Sequence, residues 1–185
     1  MNTKTLSKKD IDPQSIKQVK AQDYSKKPVI NGVKIVDLNI FNGEDGYFLE
    51  IGRPDEKGKL PDFPDFAIKQ IGYSVVLPGS IKAWHIHFNQ EDVWFVPPES
   101  MILAGLFDVR KNSPTKGSSM RITLGNHKAK LLFIPRGVAH GSANISSSAS
   151  SVLYVANQCF DIKKPDEYRL PWDHFGKDFW KSLRG

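Results

Sequence analysis

Between residues 28 and 157 turn residues cut the chain into short apolar runs, and few stretches carry a helical repeat. Segments 33–40, 47–51, 67–77, 80–88, 92–96, 101–109, 118–124, 129–134 and 151–157 each collect apolar residues between Gly, Pro, Asn or Asp. Strands at this spacing cannot bury a face alone, so the pattern predicts an all-β sandwich or barrel. Asn42-Gly43-Glu44-Asp45-Gly46 reads as a turn, and 54–64, with Pro54, Pro61, Pro64 and Gly58, as a loop. The serine-rich stretch 146–151 reads as a hairpin loop.

The two ends differ from this body. Residues 1–27 form a polar, lysine-rich extension with one short helix expected after Asp12-Pro13, and 28–185 form the single domain. At the far end Trp172, Phe175, Phe179 and Trp180 suit a short closing helix, read as an aromatic clamp over the barrel. The formal charge of +6 is largely a property of the extension, where seven lysines face three aspartates. No basic-aromatic cluster or zinc-finger spacing appears, which argues against a nucleic-acid partner. No apolar run approaches the roughly eighteen residues of a membrane span. The polar start lacks the apolar core of a secretory signal, and Cys159 is the single cysteine. A soluble cytoplasmic protein without membrane partners is expected. No nucleophile elbow or phosphate-cradling loop is present.

Three of the five histidines fall into one pattern. His85 and His87 stand two residues apart, which in a strand puts both imidazoles on one face and Ile86 on the other. Glu91 and Asp92 follow at the next strand, where alternation groups Asp92 with Trp94 and Val96, and Glu91 with Val93 and Phe95. His140 comes later, in Pro135-Arg136-Gly137-Val138-Ala139-His140. Two imidazoles on one strand face with a carboxylate close behind suit a divalent ion such as Zn, Fe, Mn, Ni or Co, with positions open for substrate.

The stretch from Gly79 through His85 and His87 to Glu91 or Asp92, and the stretch from Pro135 to Asn144, resemble the two signature motifs of the cupin superfamily. The resemblance implies a double-stranded β-helix, the jelly-roll barrel. Glu91 satisfies the shorter motif spacing and Asp92 the longer. Two positions depart from the motifs: Pro97-Pro98-Glu99 replaces the glycine that usually closes the first, and Ala129 the glycine that usually begins the second.

A second resemblance spans residues 28–173. It rests on Glu44-Asp45-Gly46-Tyr47-Phe48-Leu49-Glu50, on Gly79 to His85, and on Asp108-Val109-Arg110 with Ser113-Pro114-Thr115 and Gly117. It continues in Ile134-Pro135-Arg136-Gly137-Val138-Ala139-His140-Gly141, Leu153-Tyr154 and Leu170-Pro171-Trp172-Asp173. These are similar to the dTDP-4-dehydrorhamnose 3,5-epimerase family, a branch of the cupins. The resemblance implies an epimerase acting on a 4-keto sugar nucleotide or related carbohydrate, working as a homodimer. In that family a histidine abstracts the sugar C–H proton beside the keto group, and His85 occupies its place. Gln70 matches a family glutamine on the preceding strand. Phe160 replaces the tyrosine that returns the proton from the opposite face, Lys82 an arginine, Asp92 a lysine, and Asp45 the arginine of a turn. The same alignment slightly favours Asp92 over Glu91 as the inward carboxylate.

Losing a lysine while gaining His87 and Asp92 is the exchange a cation site needs, since a bound ion supplies the missing positive charge. On this reading His85, His87, His140 and either Asp92 or Glu91 hold a divalent metal, and His85 is a ligand rather than a free base. Tyr73, Tyr154 or a metal-bound water would move protons, while Gln70, Lys82, Phe160 and Trp94 line the substrate pocket. Two other readings stay open: a metal cupin of another reaction class (a dioxygenase or sugar isomerase), and a non-catalytic carbohydrate-binding cupin. His127 and His174 read as solvated turn residues and Cys159 as an inert thiol.

Overall fold

The computed structural model describes residues 5–22, 24–25 and 29–182, so the expected boundary at 27 and 28 lies outside the described residues. The strands run β1 (Lys34–Asp37), β2 (Ile40–Gly43), β3 (Gly46–Leu49), β4 (Lys59–Leu60), β5 (Phe63–Ala67), β6 (Gln70–Val76) and β7 (Ile81–Ile86). They continue as β8 (Asp92–Phe95), β9 (Met101–Asp108), β10 (Ser119–Gly125), β11 (Lys130–Ile134), β12 (Val138–Ala143), β13 (Ser150–Ala156) and β14 (Tyr168–Arg169). Two antiparallel five-stranded sheets face each other, one ordered β1-β11-β8-β13-β6 and the other β10-β9-β12-β7-β14. This is the expected all-β jelly-roll barrel of cupin type.

Strand alternation sorts the side chains into three layers. Trp94, Val96, Leu132, Ile134 and Val152 of the first sheet meet Ile102, Ala104, Leu106, Leu124 and Val138 of the second, and fill the barrel. Val93, Phe95 and Leu131 point the other way and are covered by Leu60, Phe63 and Phe66 of the β4–β5 hairpin. That hairpin forms inside the segment read as a loop, because Leu60 and Phe63 find an apolar sheet face to cover. Segment 33–40 is not one strand: β1 pairs with β11, and β2 turns away to pair with β3.

β12 has no apolar run, yet all six of its residues are buried between β9 and β7. Closeness explains the composition. A Cβ on Gly141 would stand 2.8 Å from the Lys82 carbonyl oxygen and closer still to the Ala83 side chain. Only small side chains let the two strands approach, so β-propensity yields to packing.

The outer face of the second sheet is sealed by the C-terminal segment. Trp84 is fully buried there, with ring centroids of Phe175, Phe179 and Trp180 at 5.0, 4.8 and 4.6 Å. The Trp172 carbonyl accepts both indole N–H groups, from Trp84 at 3.1 Å and Trp180 at 3.0 Å. The aromatic clamp therefore stands as expected, but its closing element is a 3-10 turn, Lys177–Trp180, rather than a longer helix. In the extension the expected helix is α1 (Pro13–Ile16), where the Asp12 carboxylate accepts from the Gln14 and Ser15 N–H groups. No helix among the described residues is long and apolar enough to cross a membrane.

Asp108, at the end of β9, is fully buried. It accepts from Arg110 Nε at 2.8 Å, Arg110 Nη2 at 2.9 Å, Ser113 at 2.5 Å and Thr115 at 2.7 Å, which locks the β9–β10 turn. Burial pushes this carboxyl up, but these donors outweigh it and hold Asp108 well below the usual carboxylate range. A carboxylate with a depressed folded value stabilises the fold fully above its unfolded value near 3.9, and that contribution drains away as pH falls below it. Asp108→Asn should therefore cost about 3 kcal/mol at pH 7 by stranding Arg110. Urea unfolding at pH 3 should find that cost about 1 kcal/mol smaller, whereas equal costs at both pH values would contradict the account.

Candidate active site

His85 and His87 leave β7 on its inner face, while Trp84 and Ile86 take the outer one. The β7–β12 register pairs His85 with His140 and then shifts, so that Lys82 pairs with Ser142. Asp92, the first residue of β8, faces them from the other sheet. Edge strand β6 of the first sheet approaches β7 of the second. There Lys82 Nζ donates to Ser74 Oγ and to the Val75 carbonyl, both at 2.8 Å, bridging the two sheets.

At the floor, His87, Asp92 and His140 are all buried and offer ligand atoms within 4.8 Å of one another. His87 Nε2 stands 3.7 Å and His140 Nε2 3.5 Å from Asp92 Oδ2. The Gln90 amide donates to Asp92 Oδ1 at 2.8 Å, and the Trp94 ring packs edge-on against His140 at 5.5 Å. Burial pushes the Asp92 carboxyl up, but positive charge on the His140 and His87 side, whenever a second proton sits there, and the Gln90 amide outweigh it and hold Asp92 below its ordinary value.

His85 is less buried than His87 and His140, its side chain 21% exposed, and belongs to a different set of contacts. Its Nδ1 is 3.2 Å from Glu167 Oε1, which also accepts from Arg169 at 2.7 Å. No described residue bonds its Nε2. Burial, with the neighbouring His140 and Arg169, lowers the His85 pKa to about 4 against the opposing pull of Glu167, so the ring is neutral at pH 7. Glu167 arrives because β14 pairs Tyr168 with Ile86 and Arg169 with His85. One residue earlier, the Asp166 carboxylate accepts the backbone N–H groups of Phe88, Asn89 and Gln90 at 3.0, 2.7 and 2.8 Å. The Asp166 carbonyl accepts from His87 Nδ1 at 2.5 Å.

The four-ligand set expected from the sequence thus divides. His87, Asp92 and His140 converge, whereas His85 turns to Glu167 instead. Glu91 is outside the group altogether: it points with Val93 and Phe95, bonds Asn157 at 3.0 Å and pairs with Arg136 at 3.3 Å. Between the two candidate carboxylates, the geometry selects Asp92.

Tyr73 does not face the pocket. It alternates with the inward Gln70, Gly72 and Ser74 of β6 and stands 67% exposed on the outer face. Tyr154 lies inside the barrel, its ring across Gly72, where a Cβ would overlap the phenol. Gln70 accepts the Phe160 backbone N–H at 2.7 Å, which puts the exposed Phe160 at the rim. Trp94 is floor packing rather than an open wall. Sequence reasoning missed Asp166, Glu167, Arg169 and Gln90. The only signal was the carboxylate pair in Pro165-Asp166-Glu167, and nothing local ties it to His85.

The dTDP-4-dehydrorhamnose 3,5-epimerase family model matches residues 27–176. The chain is 36% identical over 145 residues to the spore coat polysaccharide biosynthesis protein SpsL of Bacillus subtilis, covering 78% of this chain and 91% of that one. It is 31% identical over 146 residues to a probable low-salt glycan biosynthesis epimerase of Haloferax volcanii, covering 79% and 90%. Among solved structures, a dTDP sugar isomerase from Desulfovibrio desulfuricans superposes with a TM-score of 0.69 at 29% identity, covering 78% of this chain and 87% of that chain. With the family model over residues 27–176, a relative 36% identical across most of both chains and the barrel described above, the chain belongs to the dTDP-4-dehydrorhamnose 3,5-epimerase family.

Proposed function

We propose that this protein epimerises a nucleotide-linked 4-keto sugar of the dTDP class, with His85 as the general base. The observation that carries the reading is the His85–Glu167 contact. A carboxylate on Nδ1 fixes the ring tautomer with hydrogen on Nδ1, which leaves the Nε2 lone pair to take a proton. Beside a ketone, the C–H bond breaks with its electrons moving into an enolate and its proton moving to Nε2. Return of a proton to the other face inverts the carbon, and no oxidant or reductant is needed. The reading takes Tyr154 as the donor for that return, supported by its projection from β13 while His85 projects from the opposite sheet. A sugar between the two walls would meet the base on one face and the phenol on the other. The name of the Haloferax epimerase supports the reaction type, and that of the Desulfovibrio dTDP sugar isomerase the substrate class.

The reading includes a homodimer, for which the outer face of edge strand β6 offers exposed Ile71, Tyr73, Val75 and Leu77. It also takes the cytoplasm as the working compartment, in keeping with the free thiol of Cys159.

In deuterated buffer with a dTDP-linked 4-keto-6-deoxy sugar, NMR should show exchange and inversion at a carbon beside the ketone. His85→Gln should slow exchange by about 10²- to 10⁴-fold, and Glu167→Gln by a smaller factor in the same direction. Tyr154→Phe should keep exchange while slowing inversion. A wild-type protein that binds the nucleotide sugar and exchanges no C–H would overturn the epimerase reading and leave a carbohydrate-binding cupin. Phe160→Tyr should raise the rate of inversion, since it adds a phenol at the rim; an unchanged rate would put Phe160 outside the reaction.

A further inference from the structure

We infer that His87, Asp92 and His140 form a binding site for one divalent first-row transition ion, with His85 outside the ligand set. His87 Nδ1 lies 2.5 Å from the Asp166 carbonyl oxygen, and His140 Nδ1 2.9 Å from that of Val138. A carbonyl only accepts, so each Nδ1 carries its hydrogen and each neutral ring keeps its lone pair on Nε2. Both lone pairs then face Asp92 Oδ2, at 3.7 and 3.5 Å. Gln90 relieves this only partly, because its amide serves Asp92 Oδ1 at 2.8 Å and reaches His87 Nε2 only at 3.5 Å. Three electron-rich atoms converging in a buried floor call for a positive partner.

The spacing selects which partner. A proton shared between imidazole and carboxylate draws nitrogen and oxygen to about 2.7–2.9 Å, shorter than either observed separation. Two ligands about 2.1 Å from one ion at a tetrahedral angle stand roughly 3.4 Å apart, close to both. Two imidazoles and one carboxylate are a donor set for zinc, iron, manganese, cobalt or nickel, with further coordination positions left for water or another ligand. An Nδ1–H bonded to a backbone carbonyl is the outer contact that orients a ligating histidine, and both histidines have it. His85 has a carboxylate there instead, and its ring centroid is 6.0 Å from that of His140. The floor would hold the ion, and His85 would serve as the base.

Whether the chain holds a metal can be measured without turnover, so this inference and the epimerase reading can fail separately. The full-length protein, stripped with chelator and titrated with Zn(II) or Co(II), should bind about one ion per chain. Calorimetry, a raised Tm and a low-symmetry cobalt visible spectrum should agree. Asp92→Asn and His87→Gln should weaken binding by about 100-fold or more. His85→Gln should keep both the ion and the cobalt spectrum. If Asp92→Asn does not fold, His87→Gln and the wild-type spectrum carry the same decision. The inference is overturned if the wild type binds no ion at micromolar concentration. It is also overturned if His85→Gln loses the ion as fully as His87→Gln, since His85 would then be a ligand.

Discussion

The carboxylate and the carbonyl that meet His85 and His87 from residues 167 and 166 depend on how one apolar side chain is covered. Trp84 lies on the outer face of the second sheet, and its indole is sealed by Phe175, Phe179 and Trp180. Full burial of an aromatic of this size stabilises by a few kcal/mol, and the indole N–H must also find an acceptor. The C-terminal segment meets both needs. To reach Trp84 it runs along β7, where Leu170 and Trp84 exchange backbone hydrogen bonds at 3.1 and 3.2 Å. That strand addition sets Glu167 beside His85 and Asp166 beside His87. The apolar outside of the sheet therefore positions the polar inside, through a single strand with a different duty on each side.

The inner face shows how neighbouring residues of one type acquire different chemistry. His85 and His87 are two residues apart on one face of one strand, as their spacing implied. Depth separates them. His87 has a backbone carbonyl on Nδ1 and a buried carboxylate near Nε2, while the less buried His85 has a carboxylate on Nδ1 and a free Nε2. Strand alternation can place both rings on the same wall, but the partners that decide whether a ring holds an ion or moves a proton come from elsewhere in the chain.

That distinction also marks what could be read from the sequence. The strands and the inward alternation of Asp92 with Trp94 were legible because each follows from local periodicity, and the convergence of His140 with His87 because the two-motif resemblance implied it, although it implied His85 there too. The β4–β5 hairpin was hidden by its prolines, and β12 by small residues required where Gly141 meets β7. Tyr73 failed as a pocket residue for a purely geometric reason: it has the wrong parity on β6. Glu167 could not be assigned, because its partner lies 82 residues earlier and only the docking of the clamp joins them.

Chain order gives this arrangement a temporal side. The segment that carries Asp166 and Glu167 follows every strand of the two sheets except its own short β14. Ribosomal synthesis therefore produces the barrel strands and their histidines before the carboxylate that contacts His85. A nascent chain halted at Asn157 would have all the strands that wall the pocket and nothing to set the tautomer of His85. Glu167 thus joins a wall whose other strands are already made.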